Sequence, residues 1–325
     1  MCRLALRAGF CAALRKMTGE KMQCKDRLDA FGGSVLLGVT LLLAFNQIVI
    51  KAVNEGFQPV FFAGLRSALA VGFVWAWLVW RGRPPRLKRS SLAAGLLIGT
   101  LFAGEFMFLF IALDLTSVGR ASVIMYSMPV WFAILAHFGL GERITPLKAM
   151  GLALAFAGCA AAILTRPTTG EATLAGDLCA LGAAWGWALT AYIARRPVMR
   201  AEGPEMQLFW MVLVSAPILI LVAPLFGPLI RDLQPWHIAG LVFQASVVVA
   251  GGFIAWLWLM SVYPSPTVAS FSFLTPVLAM GLGAAIFGEA VTWSLALAAG
   301  LVAAGIVLIN RPGAAPRPES GATKG

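Results

Sequence analysis

The sequence predicts an all-α polytopic membrane protein of ten transmembrane helices, arranged as two inverted five-helix repeats. Three observations carry that prediction. The 325 residues are 60% hydrophobic and 12% charged, and their apolar runs reach the roughly 20 residues that an α-helix needs to span a hydrocarbon core about 30 Å thick. Residues 129–158 laid on 276–305 without a gap give ten identities, Pro129, Val130, Leu135, Gly141, Glu142, Thr145, Ala149, Leu154, Ala157 and Gly158. The Pro, Gly-Glu, Thr and Gly matches are informative because such residues are uncommon inside apolar runs, so the chain reads as an internal duplication. Finally, Lys and Arg fall on alternate loops: with the N-terminus inside, 20 of the 25 lie on the cytoplasmic side, four on the other, and Arg66 within a span.

Taken in order, residues 1–32 read as a basic cytoplasmic tail whose apolar stretch is too short and interrupted for a signal peptide. Predicted spans are 33–53, 58–80, 91–113, 117–138, 146–165, 174–195, 206–225, 237–260, 266–287 and 293–310. Proline and glycine at Gly56, Pro59, Pro146, Pro204 and Pro235 punctuate their ends, where a missing N–H matters little. The first repeat covers 33–167 and the second 168–310; residues 311–325, rich in Pro and Gly, read as a disordered cytoplasmic tail. Five spans per repeat is an odd number, so the second repeat enters the membrane from the opposite side. Secondary transporters recurrently use that architecture, rocking two related halves about a midplane site. The predicted setting is the plasma (inner) membrane, multi-pass, with both termini cytoplasmic.

Other classes find little support. The formal charge of +11 flanks apolar runs rather than forming a basic face, so nucleic acid is not an expected partner. The five cysteines have neither metal-ligand spacing nor a disulfide framework. His137 and His237 lie far apart with no clustered carboxylates, and no Gly-rich phosphate loop is present. No enzyme activity, metal or cofactor is therefore expected, and the partners are a small-molecule substrate and the bilayer, with monomer and homodimer both open.

Candidate site residues follow from polar chemistry at membrane depth. Pro129 and Pro276 fall near the middle of the fourth and ninth spans, and matched helix interruptions in two halves point to a transporter's binding site; packing kinks are the alternative. Gly141-Glu142 and Gly288-Glu289 follow those spans and read as hairpins on opposite faces, with Thr145 or Thr292 capping the next helix. Arg66 and Glu105 are the charges well inside spans, each about 12 Å from the external end. They either contact an ionic substrate, with Glu105 able to couple protons, or form a static ion pair. Asn46, Tyr126, Trp131, Trp187 and Gln244 are candidates to line a cavity. Small residues four apart in the fifth span (Gly151, Ala155; Ala153, Ala157) and tenth (Gly300, Ala304) permit close helix approach.

Asn46, Lys51, Pro59 and Arg66 in the first half, Asp177, Trp187, Ala188 and Tyr192 in the second, and the two Pro to Gly-Glu segments resemble the drug/metabolite transporter superfamily, specifically proteins with tandem EamA domains. The resemblance covers about residues 33–310. It implies ten helices, a central cavity lined by the inner helices of each half, and secondary transport, often efflux, of metabolites such as amino acids. Ala44-Phe45 stands where the family usually has Trp, and Glu105 aligns with Gly252 at the 147-residue shift, so the site is asymmetric. The expected function is a secondary transporter, in the exporting direction, of a small polar or aromatic, amino-acid-like metabolite. A passive channel is the alternative, and an intramembrane enzyme acting on lipid headgroups a remoter one.

Overall fold

Proline and hydroxyl or amide caps set where the helices begin. A computed structural model describes residues 30–141, 144–165, 173–253, 255, 259 and 274–310. Its helices are α1 (Ala30–Val53), α2 (Pro59–Trp80), α3 (Arg89–Leu115), α4 (Val118–Met125), α5 (Met128–Gly139), α6 (Pro146–Leu164), α7 (Leu174–Ala194), α8 (Pro197–Glu202), α9 (Pro204–Val222), α10 (Pro235–Phe243), α11 (Leu274–Phe287) and α12 (Trp293–Asn310). Pro59, Pro146, Pro197, Pro204 and Pro235 each open a helix, where the absent N–H would have had no partner. The side chains of Gln58, Ser117, Thr145 and Thr173 accept from the backbone N–H three residues on. Gly141 and Gly288 follow the ends of α5 and α11 at φ +69° and +67°, a region open to glycine because it lacks a Cβ.

Seven helical stretches among the described residues are long and apolar enough to cross a membrane: α1, α2, α3, α4 with α5, α6, α9 with its 3₁₀ extension, and α10 with its continuation to Gly252. α11 and α12 are shorter apolar helices, and α7 is a 21-residue helix near the middle of the sequence. The expected N-terminal tail up to Asp29, the C-terminal tail and Glu142 lie outside the described residues.

Helix contacts display the duplication and its inversion directly. α6 packs on its counterpart α12. A Cβ on Gly151 would strike the Gly305 carbonyl, and one on Gly158 the Ala298 carbonyl, so the two helices touch backbone to backbone. As one sequence number rises the other falls, which makes the helices antiparallel. The same holds for α2 and α9, where Gly64 meets Ile220 and Ser67 meets Ser215. Related helices running antiparallel is what an inverted repeat requires. α1 packs on α11 as α7 packs on α5, a second pair of contacts related by the 147-residue shift. The other small-residue stripes, Ala153 with Ala157 and Gly300 with Ala304, face outward.

Two local departures from regular helix matter for the site. The sequence placed Pro129 in the middle of one span; the chain instead ends α4 at Met125, turns through Tyr126 and Ser127, and restarts with Pro129 in the first turn of α5. The break leaves the missing N–H at a helix start and lets the Ser127 hydroxyl donate to the Ile124 carbonyl at 2.6 Å. Pro276 is the third residue of α11 and is buried. Among the described residues, Pro217 in α9 is the proline inside an unbroken helix. α10 continues from Gln244 to Gly252 as a π-helix, a wider coil that recurs at functional sites and that apolar periodicity does not reveal.

Candidate substrate site

Arg66 on α2 and Glu105 on α3 are both buried, at 1% and 4% exposure. They interact electrostatically but form no ion pair. The Arg66 guanidinium lies 3.8 Å from the Phe106 ring centroid and 5.2 Å from that of Phe110, so aromatic faces support its charge. Its Nε and Nη2 have no protein partner, nor does Glu105 Oε2. Nε and Nη2 form one edge of the guanidinium fork, the geometry that takes a carboxylate or phosphate bidentately. α7 closes on this pair because Gly186 has no side chain: a Cβ there would come within 2.8 Å of the Glu105 Cα. That approach brings the Thr190 hydroxyl beside the Glu105 carboxyl, though outside hydrogen-bond geometry.

A second group of polar side chains comes from α1, α4, α7, α10 and α11. Gln244 opens the π-helical stretch and donates from Nε2 to the Asn46 carbonyl at 3.1 Å. Its Oε1, Asn46 Oδ1 and Thr275 Oγ1 are buried without protein partners. Ser122 donates to Gln47 Oε1 at 2.7 Å. Tyr126, at the α4–α5 break, stands edge-on to Trp187 with centroids 5.7 Å apart and has Thr275 beside it. Trp187 and Thr190 share a face of α7, so that helix joins the two groups. An apolar crevice lined by Val123, Tyr126, Pro276, Val277, Ala299 and Val302 adjoins them.

Buried polar atoms in native proteins are nearly always hydrogen-bonded, and an unpaired one carries a desolvation cost of about 1–3 kcal/mol. Most of the unpaired buried side-chain atoms among the described residues belong to Asn46, Arg66, Glu105, Thr190, Gln244 and Thr275. The arrangement can therefore offer a polar solute both donors and acceptors inside an apolar bundle.

Of the sequence candidates, Arg66 and Glu105 lie together, Gln244 meets Asn46, and Tyr126 meets Trp187. Trp131 Nε1 donates to Ser127 Oγ, and its ring packs 4.7 Å from Trp185 and 6.1 Å from Phe156. Thr190 and Thr275 were not singled out by sequence; spacing from Trp187 and Pro276 was the available signal. Gly288-Glu289 does more than mark a hairpin, since Glu289 reaches Lys51 at 2.7 Å.

Among the described residues, three ion pairs cross between the halves at the end carrying Lys51. Besides Lys51–Glu289, buried Arg120 holds Asp177 through Nε and Nη2 at 3.2 and 2.6 Å, and Arg231 holds Asp114 at 2.7 and 2.9 Å. Hydrogen bonding to Asp114 raises the Arg231 pKa, so that guanidinium stays charged. The opposite end has the Lys88–Glu202 pair at 3.2 Å, its lysine exposed.

The sequence profile of the EamA-like transporter family matches the chain twice, over residues 30–164 and 174–311. An uncharacterized transporter of Bacillus subtilis, YvbV, is 30% identical over 287 residues, 83% of this chain and 90% of that protein. A probable amino-acid metabolite efflux pump of Escherichia coli is 27% identical over 289 residues, 85% of this chain and 93% of the pump. One solved crystal structure superposes with a TM-score of 0.61 at 22% identity, covering 86% of this chain and 96% of that one, a likeness of fold. Two matched halves, antiparallel counterpart helices and a polar centre in an apolar bundle agree with these similarities: the chain is a multi-pass membrane protein that belongs to the EamA-like transporter family, a transporter rather than an enzyme.

Proposed function

We propose that this protein is a secondary transporter that exports a small polar or aromatic, amino-acid-like metabolite across the plasma membrane by alternating access, with both termini cytoplasmic. The supporting observation is the set of unpaired buried polar atoms on Asn46, Arg66, Glu105, Thr190, Gln244 and Thr275, contributed by both halves at the bundle's interior. In this reading Arg66 receives the substrate's anionic group. Glu105 is its counter-charge or the site that couples protons, and Asn46, Tyr126, Trp187 and Gln244 line the cavity. The E. coli and Salmonella typhimurium relatives, each named a probable amino-acid metabolite efflux pump, favour the substrate class and the direction. The excess of Lys and Arg on one set of loops favours the orientation.

The test is uptake and counterflow of a metabolite panel in proteoliposomes at two imposed pH gradients. Saturable flux with counterflow is expected; unsaturable flux would favour a channel and defeat the carrier reading. A rate that follows the pH gradient and loses that dependence in Glu105→Gln would support proton coupling.

A further inference from the structure

We infer that Glu289 is an inter-repeat latch that holds the external end shut. The inference rests on the alternating-access reading and on the orientation above. Glu289 follows α11 in the second half, yet its carboxylate is spent entirely on the first. Oε1 accepts from Lys51 Nζ at 2.7 Å and from the Val118 N–H at 2.8 Å, and Oε2 from the Gly119 N–H at 3.3 Å. Val118 and Gly119 open α4, so an anion sits on a helix N-terminus whose partial positive charge favours it. Lys51 ends α1 and also donates to the Thr116 carbonyl at 3.3 Å. One side chain thus ties α1, α4 and the α11–α12 hairpin together.

α4 is also the half-helix that carries Ser122 and Tyr126 down to the candidate site, ending at the break before Pro129. Moving the hairpin away removes the anion from the top of that half-helix. External opening and the position of Tyr126 are thereby linked through one short rigid element.

Three of these features are not kept at the positions matched by the repeat. At the 147-residue shift Lys51 corresponds to Val198, which has no charge, and Gly119 to Pro266, which has no N–H. Gly283, which lies so close to the Glu289 carboxylate that a Cβ would approach Oε2 to 2.5 Å, corresponds to Ala136. The Lys51 charge, the Gly119 N–H and the space beside Gly283 are therefore not repeated at the matched positions.

The experiment is a pulsed electron-paramagnetic-resonance distance measurement on the full chain in lipid nanodiscs, with its five native cysteines replaced and spin labels at exposed Glu55 and Trp293. Wild type should give predominantly one short distance. Lys51→Gln, which keeps the carboxylate on α4, and Glu289→Gln should each raise the ratio of a longer distance to the short one by roughly five-fold, equivalent to about 1 kcal/mol. Arg231→Gln, which cuts a pair outside the latch, should change it less. A merely structural cap would shift the melting temperature in Glu289→Gln and leave the distances of Lys51→Gln as in wild type. Identical distance populations in wild type, Lys51→Gln and Glu289→Gln overturn the latch. If wild type still populates two distances in that event, alternating access stands; a single distance throughout counts against both.

Discussion

Arg120 and Asp177 should behave as one buried unit, and removing either alone should be the most damaging change among the ion pairs described. Both are almost fully buried, with side-chain exposure of 3% and 0%. Besides Asp177, Arg120 donates to the carbonyls of Ala162 and Thr165, and Asp177 accepts from the Thr116 hydroxyl at 3.1 Å. Four helices meet on these contacts, since Thr116 follows α3, Arg120 is on α4, Ala162 on α6 and Asp177 on α7. Arg120→Ala leaves a carboxylate in a medium that solvates charge poorly, which costs about 3–5 kcal/mol for a broken buried pair. The Lys88–Glu202 pair, whose lysine is 55% exposed, contributes about 0–1 kcal/mol by contrast. In thermal unfolding of nanodisc-embedded protein, Arg120→Ala and Asp177→Ala should each lower the midpoint far more than Lys88→Ala. The double variant Arg120→Met with Asp177→Leu should recover much of the loss, because two apolar groups need no partner. A single variant as mild as Lys88→Ala, or a double variant no better than the singles, refutes the argument that burial makes this pair indivisible.

Further outcomes concern the candidate site. Arg66→Ala and Glu105→Gln should each reduce proteoliposome transport by at least about ten-fold with protein level retained, the loss of one charge-assisted contact; unchanged transport in both would remove them from the site. Gln244→Leu deletes a buried oxygen that has no partner together with the 3.1 Å bond to the Asn46 carbonyl, two offsetting changes, so its melting temperature should move little while transport falls. Gly186→Leu forces a side chain against the Glu105 backbone and should destabilise by about 1–3 kcal/mol, read as lost yield and a lower midpoint.

Much of the architecture was legible in the chain because membrane folding imposes few solutions. Every backbone N–H and C=O must be paired in lipid, so apolar runs near 20 residues become helices, and proline and glycine mark their ends. Gly158 and Gly305, matched in the repeat, turn out to be the points where α6 and α12 touch. The site was legible in part. Charges such as Arg66 and Glu105 stand out against apolar neighbours, whereas Thr190 and Thr275 do not, because threonine is tolerated throughout membrane helices. Trp131, near Tyr126 in sequence, packs on Trp185 and Phe156, contacts that helical rotation and the break at Tyr126–Ser127 decide rather than depth.

By itself, then, the sequence determined the number and order of spans, the duplication, its inversion and the charge asymmetry, all properties of composition and spacing along the chain. Only the tertiary structure decided that Arg66 and Glu105 face each other without closing an ion pair, and that α10 continues as a π-helix from Gln244. It also decided that Glu289 serves the opposite half of the molecule. The reason is distance in sequence. Glu289 and Lys51 are 238 residues apart, and no local periodicity records which side chains meet when ten antiparallel or parallel rods are packed.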